Sequence, residues 1–240
     1  MVARAAILGR LRRGLGRETD TAKAAYAEVE RRLATPTANL IPQRGRPPAA
    51  ERIERFIEMA EVAQCTLARI ENAAALPAAV AEWLGGHNLA AALVMAADPA
   101  LDRAPWAAAQ PLLSIRRGAP MEADAVSLNR ALAGIAETGT LMLASGPDAP
   151  TSLSFLPENH IVVVDATAIV GSYEEAFARL RAAHGAQDKM ALPRAVNLIT
   201  GPSRTGDIAL KIELGAHGPR RLHIVIVERG FEADDGTAPT

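Results

Sequence analysis

The order of apolar and polar positions divides the chain into a helical first third and a remainder rich in strand-like segments. From Ile53 to Ile70, apolar residues recur at spacings of three and four, with charged residues behind them, which is the pattern of an amphipathic helix. We predict helices over 2–14, 20–34, 51–72, 77–85 and 173–184, and a short helix that starts near Thr205.

Continuous apolar runs of strand length begin after residue 88. These runs are 89–97, 111–117, 141–145, 160–166, 195–200 and 221–228. Runs that are apolar on both faces belong in a buried sheet, and their alternation with helices favours parallel pairing. The sequence therefore predicts an α/β fold with a mostly parallel central sheet and flanking helices.

The segment 35–50 is rich in Pro, Gly and Arg and is typical of a linker or of a strap that lies on a surface. We therefore expect an N-terminal helical and Pro-rich extension over 1–50, an α/β domain over 51–230 and a flexible tail over 231–240.

Charge excludes some classes of partner. The formal net charge is −1, so no global field attracts nucleic acid or an anionic membrane. Residues 1–50 hold ten Lys/Arg against four Asp/Glu, which favours a basic helical face over nucleic-acid binding. No stretch approaches the roughly 18–20 apolar residues that a membrane-spanning helix needs, and we expect a cytoplasmic protein.

Cys65 is the one cysteine of the chain, so neither an internal disulfide nor a cysteine-bound iron–sulfur cluster can form within it. We expect Cys65 to be a buried, inert thiol inside the helix 51–72. The histidines at 160, 217 and 223 share no short ligand spacing, so we expect no metal site.

The segment ITGPSRTGDI (199–208) resembles a phosphate-binding loop, because Gly201 and Gly206 have its spacing, but Asp207 stands where that loop needs lysine. An acid there repels phosphate, which excludes a nucleotide. Backbone N–H groups, two hydroxyls and the Arg204 guanidinium could instead hold a small carboxylate. Alternatively, Ser203 or Thr205 only caps a helix whose first turn Asp207 stabilises; both interpretations remain open.

Two further segments carry candidate chemistry. In IAETGTLML (135–143), Glu137 is either a general acid/base or nucleophile in a pocket, or a partner in a salt bridge at a strand edge. His217 lies between the small residues Ala216 and Gly218, ahead of Pro219. A histidine in such a turn either transfers protons or is a surface turn residue.

Three blocks together, AGIAETGTLML (133–143), SFLPENHIVVV (154–164) and ITGPSRTGDIALKIELGAHGP (199–219), resemble the signature blocks of the LUD-domain family, and within it the lactate utilization protein C type. The resemblance implies a fold like that of the NagB/ribose-5-phosphate isomerase/CoA-transferase group. It also implies a role in oxidising L-lactate to pyruvate, with iron–sulfur clusters on partner proteins and no cofactor bound by this chain.

By the same resemblance, the family blocks supply the ligand-binding residues. These are Thr138, Gly139 and Thr140 of the TGT block (138–140), Gly201, Ser203, Arg204, Thr205 and Asp207 of the GPSRT block (201–207), and Gly218 of the HGP block (217–219). We expect Arg204 to clamp a small carboxylate, and Glu137 or His217 to handle a proton. Whether the chain is an enzyme stays open, because a CoA-transferase or isomerase that uses Glu137 and a non-catalytic assembly or regulatory protein are alternatives.

Overall fold

The computed structural model describes residues 2–15, 19–35, 40–184, 192–205 and 213–231. By its contacts the chain divides into two compact units, 1–40 and 41–240. The first unit holds helices α1 (Val2–Gly14) and α2 (Thr19–Ala34). Residues 41–50, which were grouped with the N-terminal extension on composition, lie in the second unit.

The remaining helices and the strands belong to the second unit. Its helices are α3 (Arg52–Val62), α4 (Leu76–Gly86), α5 (Pro99–Asp102), α6 (Trp106–Ala109) and α7 (Tyr173–His184). Its strands are β1 (Thr66–Ile70), β2 (Ala92–Met95), β3 (Ser114–Arg117), β4 (Val126–Arg130), β5 (Ala133–Ile135), β6 (Thr140–Ala144), β7 (Asn159–Asp165), β8 (Ile169–Val170), β9 (Val196–Ile199), β10 (Arg204–Thr205), β11 (Glu213–Leu214) and β12 (Arg221–Val227).

A six-stranded parallel sheet with strand order β1-β12-β7-β4-β2-β3 forms the centre of this unit, which confirms the predicted α/β fold. Alternate residues of β7 and β12 pack on opposite faces. Val162 and Ile224 lie in one apolar cluster with α3, whereas Ile161 and Val225 lie in another with α4. Burial on both faces explains why these two strands are continuous apolar runs in the sequence.

A second, four-stranded sheet has the order β8-β5-β6-β9, with β6 antiparallel to both of its neighbours. The segments 141–145 and 195–200, predicted as members of the parallel sheet, form β6 and β9 of this smaller sheet. That placement corrects the prediction. Apolar content alone does not distinguish the two sheets, since strand β6 is buried as deeply as the parallel strands.

The predicted helix 51–72 is correct only in its first half. Helix α3 ends at Val62, Gln64 takes a positive φ of 71°, and the Cys65 N–H donates to the Ala60 carbonyl in a helix-closing bond. Strand β1 follows, parallel to β12. The helical spacing of Leu67 and Ile70 is therefore fortuitous, and Cys65 lies between a helix and a strand instead of inside a helix.

The predicted helix that starts near Thr205 falls almost entirely on residues outside the described ranges. Arg204 and Thr205 form a short antiparallel pair with strand β11, and residues 206–212, Asp207 among them, lie outside the described residues. Among the described residues, no helix is long and apolar enough to cross a membrane.

Candidate functional site

The TGT block forms the turn between β5 and β6, where the hydroxyl groups of three side chains meet. Thr138 Oγ1 lies 2.6 Å from Thr140 Oγ1 and 2.9 Å from the Tyr173 hydroxyl, and Thr140 Oγ1 lies 3.1 Å from that hydroxyl. Thr140 Oγ1 also lies 2.6 Å from Oγ1 of Thr200, at the end of β9. We call these four residues the hydroxyl cluster. It extends from buried Thr140 to exposed Thr200.

The hydroxyl cluster holds four O–H groups and four contacts, so one proton is available for each contact. The hydroxyls of Thr138, Thr140 and Tyr173 can each donate to the next in a closed ring of three. If Thr200 also donates to Thr140, all four protons are used. A ligand oxygen that accepts from the cluster must therefore take a proton from one of these bonds, and Thr200, at the exposed end, is the residue placed to give one.

Glu137 precedes this turn and is buried, with 5% of its side chain exposed. Its Oε1 lies 3.0 Å from Nε of Arg44, whose side chain is 63% exposed. Arg44 belongs to the segment 41–50, and neighbouring Gly45 is so close that an added Cβ would lie 3.0 Å from Glu137 Oε2. The carboxylate is therefore covered by the segment 41–50, which the sequence analysis described as a surface strap.

The start of α7 anchors the same region. Ser172 caps the helix by accepting from the Glu175 N–H at 3.3 Å, and Glu175 accepts from the Gly171 N–H at 2.9 Å. An added Cβ on Gly171 would lie 2.6 Å from the Gly45 carbonyl oxygen. The covering segment, the start of α7 and Glu137 are thus packed against one another.

Two glycines of the candidate site, Gly139 and Gly201, have a steric function. Gly139 has φ of 65°, and an added Cβ would overlap the backbone of Ala60. Gly201 has φ of 74°, and an added Cβ would overlap the carbonyl oxygen of Ala63. Both glycines therefore allow their turns to approach the C-terminal end of α3, in a conformation that disfavours other residues.

Ser203 joins the GPSRT block to the HGP block. The Ser203 N–H donates to the Pro219 carbonyl at 2.8 Å, and the His217 N–H donates to Ser203 Oγ at 3.2 Å. Gly218 lies beside the same serine. Together with the bond between Thr140 and Thr200, this contact makes the three predicted blocks structural neighbours.

The side chains of Arg204 and His217 are exposed, whereas Thr205 is buried. No contact joins Glu137, Arg204 and His217 within the described part of the chain. Glu137 lies beneath the segment 41–50, whereas the backbone of His217 is bonded to Ser203. The structure thus brings the blocks together without joining these three side chains.

The topology affects the predicted carboxylate-binding loop 199–208 in two ways. The loop after β9 leaves an antiparallel strand of the smaller sheet, not the carboxyl edge of the parallel sheet. It lies against the C-terminal end of α3, where the helix dipole is negative, and the Ser203 N–H is already donated to Pro219. A ligand at this loop would therefore depend on side chains more than on backbone amides.

Cys65 lies beside the same loop, which the sequence did not predict. The thiol is 7% exposed, and burial raises its pKa to about 11, while a hydrogen bond with the backbone of Gly201 and the charge of Arg204 act in the opposite direction. The low exposure confirms that Cys65 is buried, as predicted. Its raised pKa keeps the thiol protonated near neutral pH.

A polar group that the sequence analysis missed lies at the carboxyl edge of the parallel sheet. Arg130, the last residue of β4, contacts Asp98 after β2 at 2.8 Å and Asp165 at the end of β7 at 3.6 Å. Its guanidinium also lies 5.9 Å from the ring centroid of Phe231. Open α/β sheets bind ligands at this edge, so acids directly after apolar runs were the signal that could have indicated it.

Two buried histidines are structural in their contacts. The Nε2–H of His160 donates to Asn129 Oδ1 at 2.8 Å, and burial lowers its pKa to about 3. His223 Nδ1 lies 2.8 Å from Thr66 Oγ1, its ring stacks on Trp83, and burial lowers its pKa to about 4. Among the described residues, no group of three or more His, Cys, Asp or Glu is placed to hold a metal ion.

A cleft of about 660 Å³ lies elsewhere in the second unit, lined by Ser145, Thr151, His184 and Arg194 among others. None of the predicted site residues lines it.

Comparison with known proteins agrees with the motif analysis. Residues 121–227, which hold all three blocks, match the LUD domain family. Over 94 residues the chain is 39% identical to an uncharacterized protein of Neisseria meningitidis serogroup B, and 34% identical to Lactate utilization protein C of Macrococcus caseolyticus. Over 122 residues it is 30% identical to Lactate utilization protein C of Exiguobacterium sp..

These matches are partial. They cover 39%, 39% and 51% of this chain, and 38%, 40% and 51% of the three relatives in the same order. The crystal structure of a DUF162 family protein from Deinococcus radiodurans is similar with a TM-score of 0.57 and 26% identity, and the match covers 76% of this chain and 99% of that one. The structural likeness therefore extends over more of this chain than the matches to the three relatives do.

Proposed function

We propose that the chain takes part in a lactate utilization system and binds a small carboxylate through the region 121–227, which matches the LUD domain family. The names of the relatives supply the pathway. The observation that supports the site is the bond between Thr140 and Thr200, because it joins the hydroxyl cluster to the loop that carries Arg204. The hydroxyls then supply hydrogen bonds, and Arg204 supplies the positive charge.

In this proposal the proton-transfer groups differ in accessibility. His217 is exposed and follows the Ser203 contact, so it can reach a ligand at the loop without rearrangement. Glu137 is covered by the segment 41–50 and takes part only if that segment moves. His217 is therefore the preferred acid/base, and Glu137 the second choice.

Iron–sulfur proteins are proposed as partners that carry the electrons from lactate. The single cysteine of this chain has a raised pKa and lies against Gly201, so it does not fit a cluster ligand. An oxidation that passes electrons to clusters consequently needs a second protein. No step of the chemistry is assigned to a cofactor on this chain.

Binding of L-lactate and pyruvate to the purified full chain, measured by calorimetry, tests the proposed site. Arg204→Ala should abolish binding and Arg204→Lys should weaken it, since lysine keeps the charge but loses the planar fork. Arg55→Ala is the matched control, because Arg55 pairs with Glu58 on the surface of α3. Equal binding by Arg204→Ala and by the control removes Arg204 from the site.

A non-catalytic assembly or regulatory role is the second candidate. The cover over Glu137 and the donation of the Ser203 N–H to Pro219 favour it, because both groups are already occupied within the chain. A CoA-transferase or isomerase that uses Glu137 would need an open carboxylate, which the same cover disfavours.

The two candidates differ in lactate-dependent growth of a strain that lacks this chain. Complementation by Arg204→Ala together with loss of ligand binding would favour the assembly role. If Arg204→Ala neither complements growth nor binds the ligand, the carboxylate-binding role is favoured, provided that circular dichroism shows an unchanged fold.

A further inference from the structure

Helix α2 carries an exposed apolar stripe. Tyr26, Val29 and Leu33 are 72%, 51% and 54% exposed, respectively. Their spacing of three and then four residues places them on one side of the helix, in the pattern of a coiled-coil seam. Burial of large apolar side chains in this pattern under a second helix stabilises the helix that carries them.

A short helix gains from such a cover. Helix α2 has 16 residues, just above the roughly 12–15 residues below which isolated helices are marginal in water even when rich in alanine. The exposed side chains contribute little to its stability. An association that covers the stripe would supply the missing stabilisation.

The charges beside the stripe indicate which helix covers it. Lys23 and Glu30 are seven residues apart, which is about two turns, so they lie on the same flank of the stripe. Arg31 instead pairs with Glu28 at 2.7 Å, on the side of the helix away from the stripe. One flank therefore carries one positive and one negative charge at a coiled-coil spacing.

We propose that the stripe docks on the α2 helix of a second copy of this chain, in antiparallel orientation about a two-fold axis. Antiparallel pairing places the same flank of both helices together, so Lys23 of each copy faces Glu30 of the other. Parallel pairing places opposite flanks together, and Glu30 then faces Ala25. Within the described helix Thr19–Ala34, only the antiparallel dimer forms two reciprocal ion pairs over the apolar seam.

Analytical ultracentrifugation of the full chain over a concentration series tests the proposal. We expect a monomer–dimer equilibrium. Lys23→Glu alone, or Glu30→Lys alone, turns both ion pairs into repulsions and should raise the dissociation constant about tenfold. The double variant Lys23→Glu/Glu30→Lys restores both pairs and should return the constant to the value of the unmodified chain.

Val29→Glu should abolish the dimer, and Glu82→Lys, an exposed change on α4, should leave it intact. A chain that is monomeric throughout the series overturns the proposal. So does a dimer that survives Val29→Glu, because another surface would then form it. Single swaps that weaken the dimer with no recovery in the double variant would overturn the antiparallel arrangement.

Discussion

Gly139 lies directly against the backbone of Ala60, so that the turn of the TGT block rests on the last turns of α3. Gly201 has the same relationship with Ala63, one turn further along. The glycines of two predicted binding blocks are therefore explained by packing. Their presence positions the hydroxyl cluster and does not by itself indicate a ligand.

Gly139→Ala and Gly201→Ala should each lower the free energy of unfolding by at least about 2 kcal/mol, since each adds an unfavourable positive φ and an overlap with backbone. Gly146→Ala is the control, because a Cβ there meets nothing within 4 Å. Urea denaturation of the three variants measures the difference. Similar midpoints for all three would mean that α3 does not lie against these turns.

Gln64→Gly should stabilise the protein by about 0.5–1 kcal/mol. Gln64 ends α3 with φ of 71°, a conformation that glycine adopts without strain. In Gln110→Gly, where φ is −137°, the same substitution relieves no strain and should not stabilise. Thermal unfolding of both variants checks this, and a destabilised Gln64→Gly would argue against the helix end at this position.

Tyr173→Phe should lower the free energy of unfolding by about 1 kcal/mol, because Thr138 and Thr140 each lose a hydroxyl partner. Thr200 is exposed, and water replaces its bond to Thr140, so Thr200→Val should cost less. Chemical denaturation distinguishes the two. If the proposed site is correct, Thr200→Val should nonetheless weaken carboxylate binding more than it weakens the fold.

The sequence was sufficient where a residue's neighbours are close in the chain or where both faces of a strand are apolar. Strands β7 and β12 and helix α7 follow directly from such patterns. Strand β4 was missed because Ser127 and Asn129 interrupt its apolar run, although both are buried and bonded to Leu153 and Ser154. The partners that make these polar residues acceptable are more than twenty residues away.

The candidate site shows the same limit. The residue types of the TGT and GPSRT blocks indicated a polar site, but not that Thr140 bonds to Thr200 or that Arg44 covers Glu137. The alternative of a salt bridge for Glu137 agrees with the structure. Its partner comes from a segment nearly a hundred residues earlier, which no local pattern connects to it.

Acid should destabilise the protein through its two buried histidines. In the fold the pKa of His160 is lowered to about 3 and that of His223 to about 4, whereas a histidine in the unfolded chain titrates near pH 6.5. Below that pH the unfolded state takes up protons that the folded state does not. Stability is therefore complete above pH ~6.5 and falls as the pH approaches the folded values, by up to ~1.4 kcal/mol per pH unit for each histidine.

Urea denaturation at a series of pH values from neutral down to about 4 measures this slope. His223→Asn should flatten it, whatever its effect on stability at neutral pH, since one of the two protons taken up on unfolding is removed. His184→Asn leaves both buried imidazoles in place and should retain the full slope. An unchanged slope in His223→Asn would mean that this imidazole is not held neutral against Trp83, and would place the acid sensitivity in other groups.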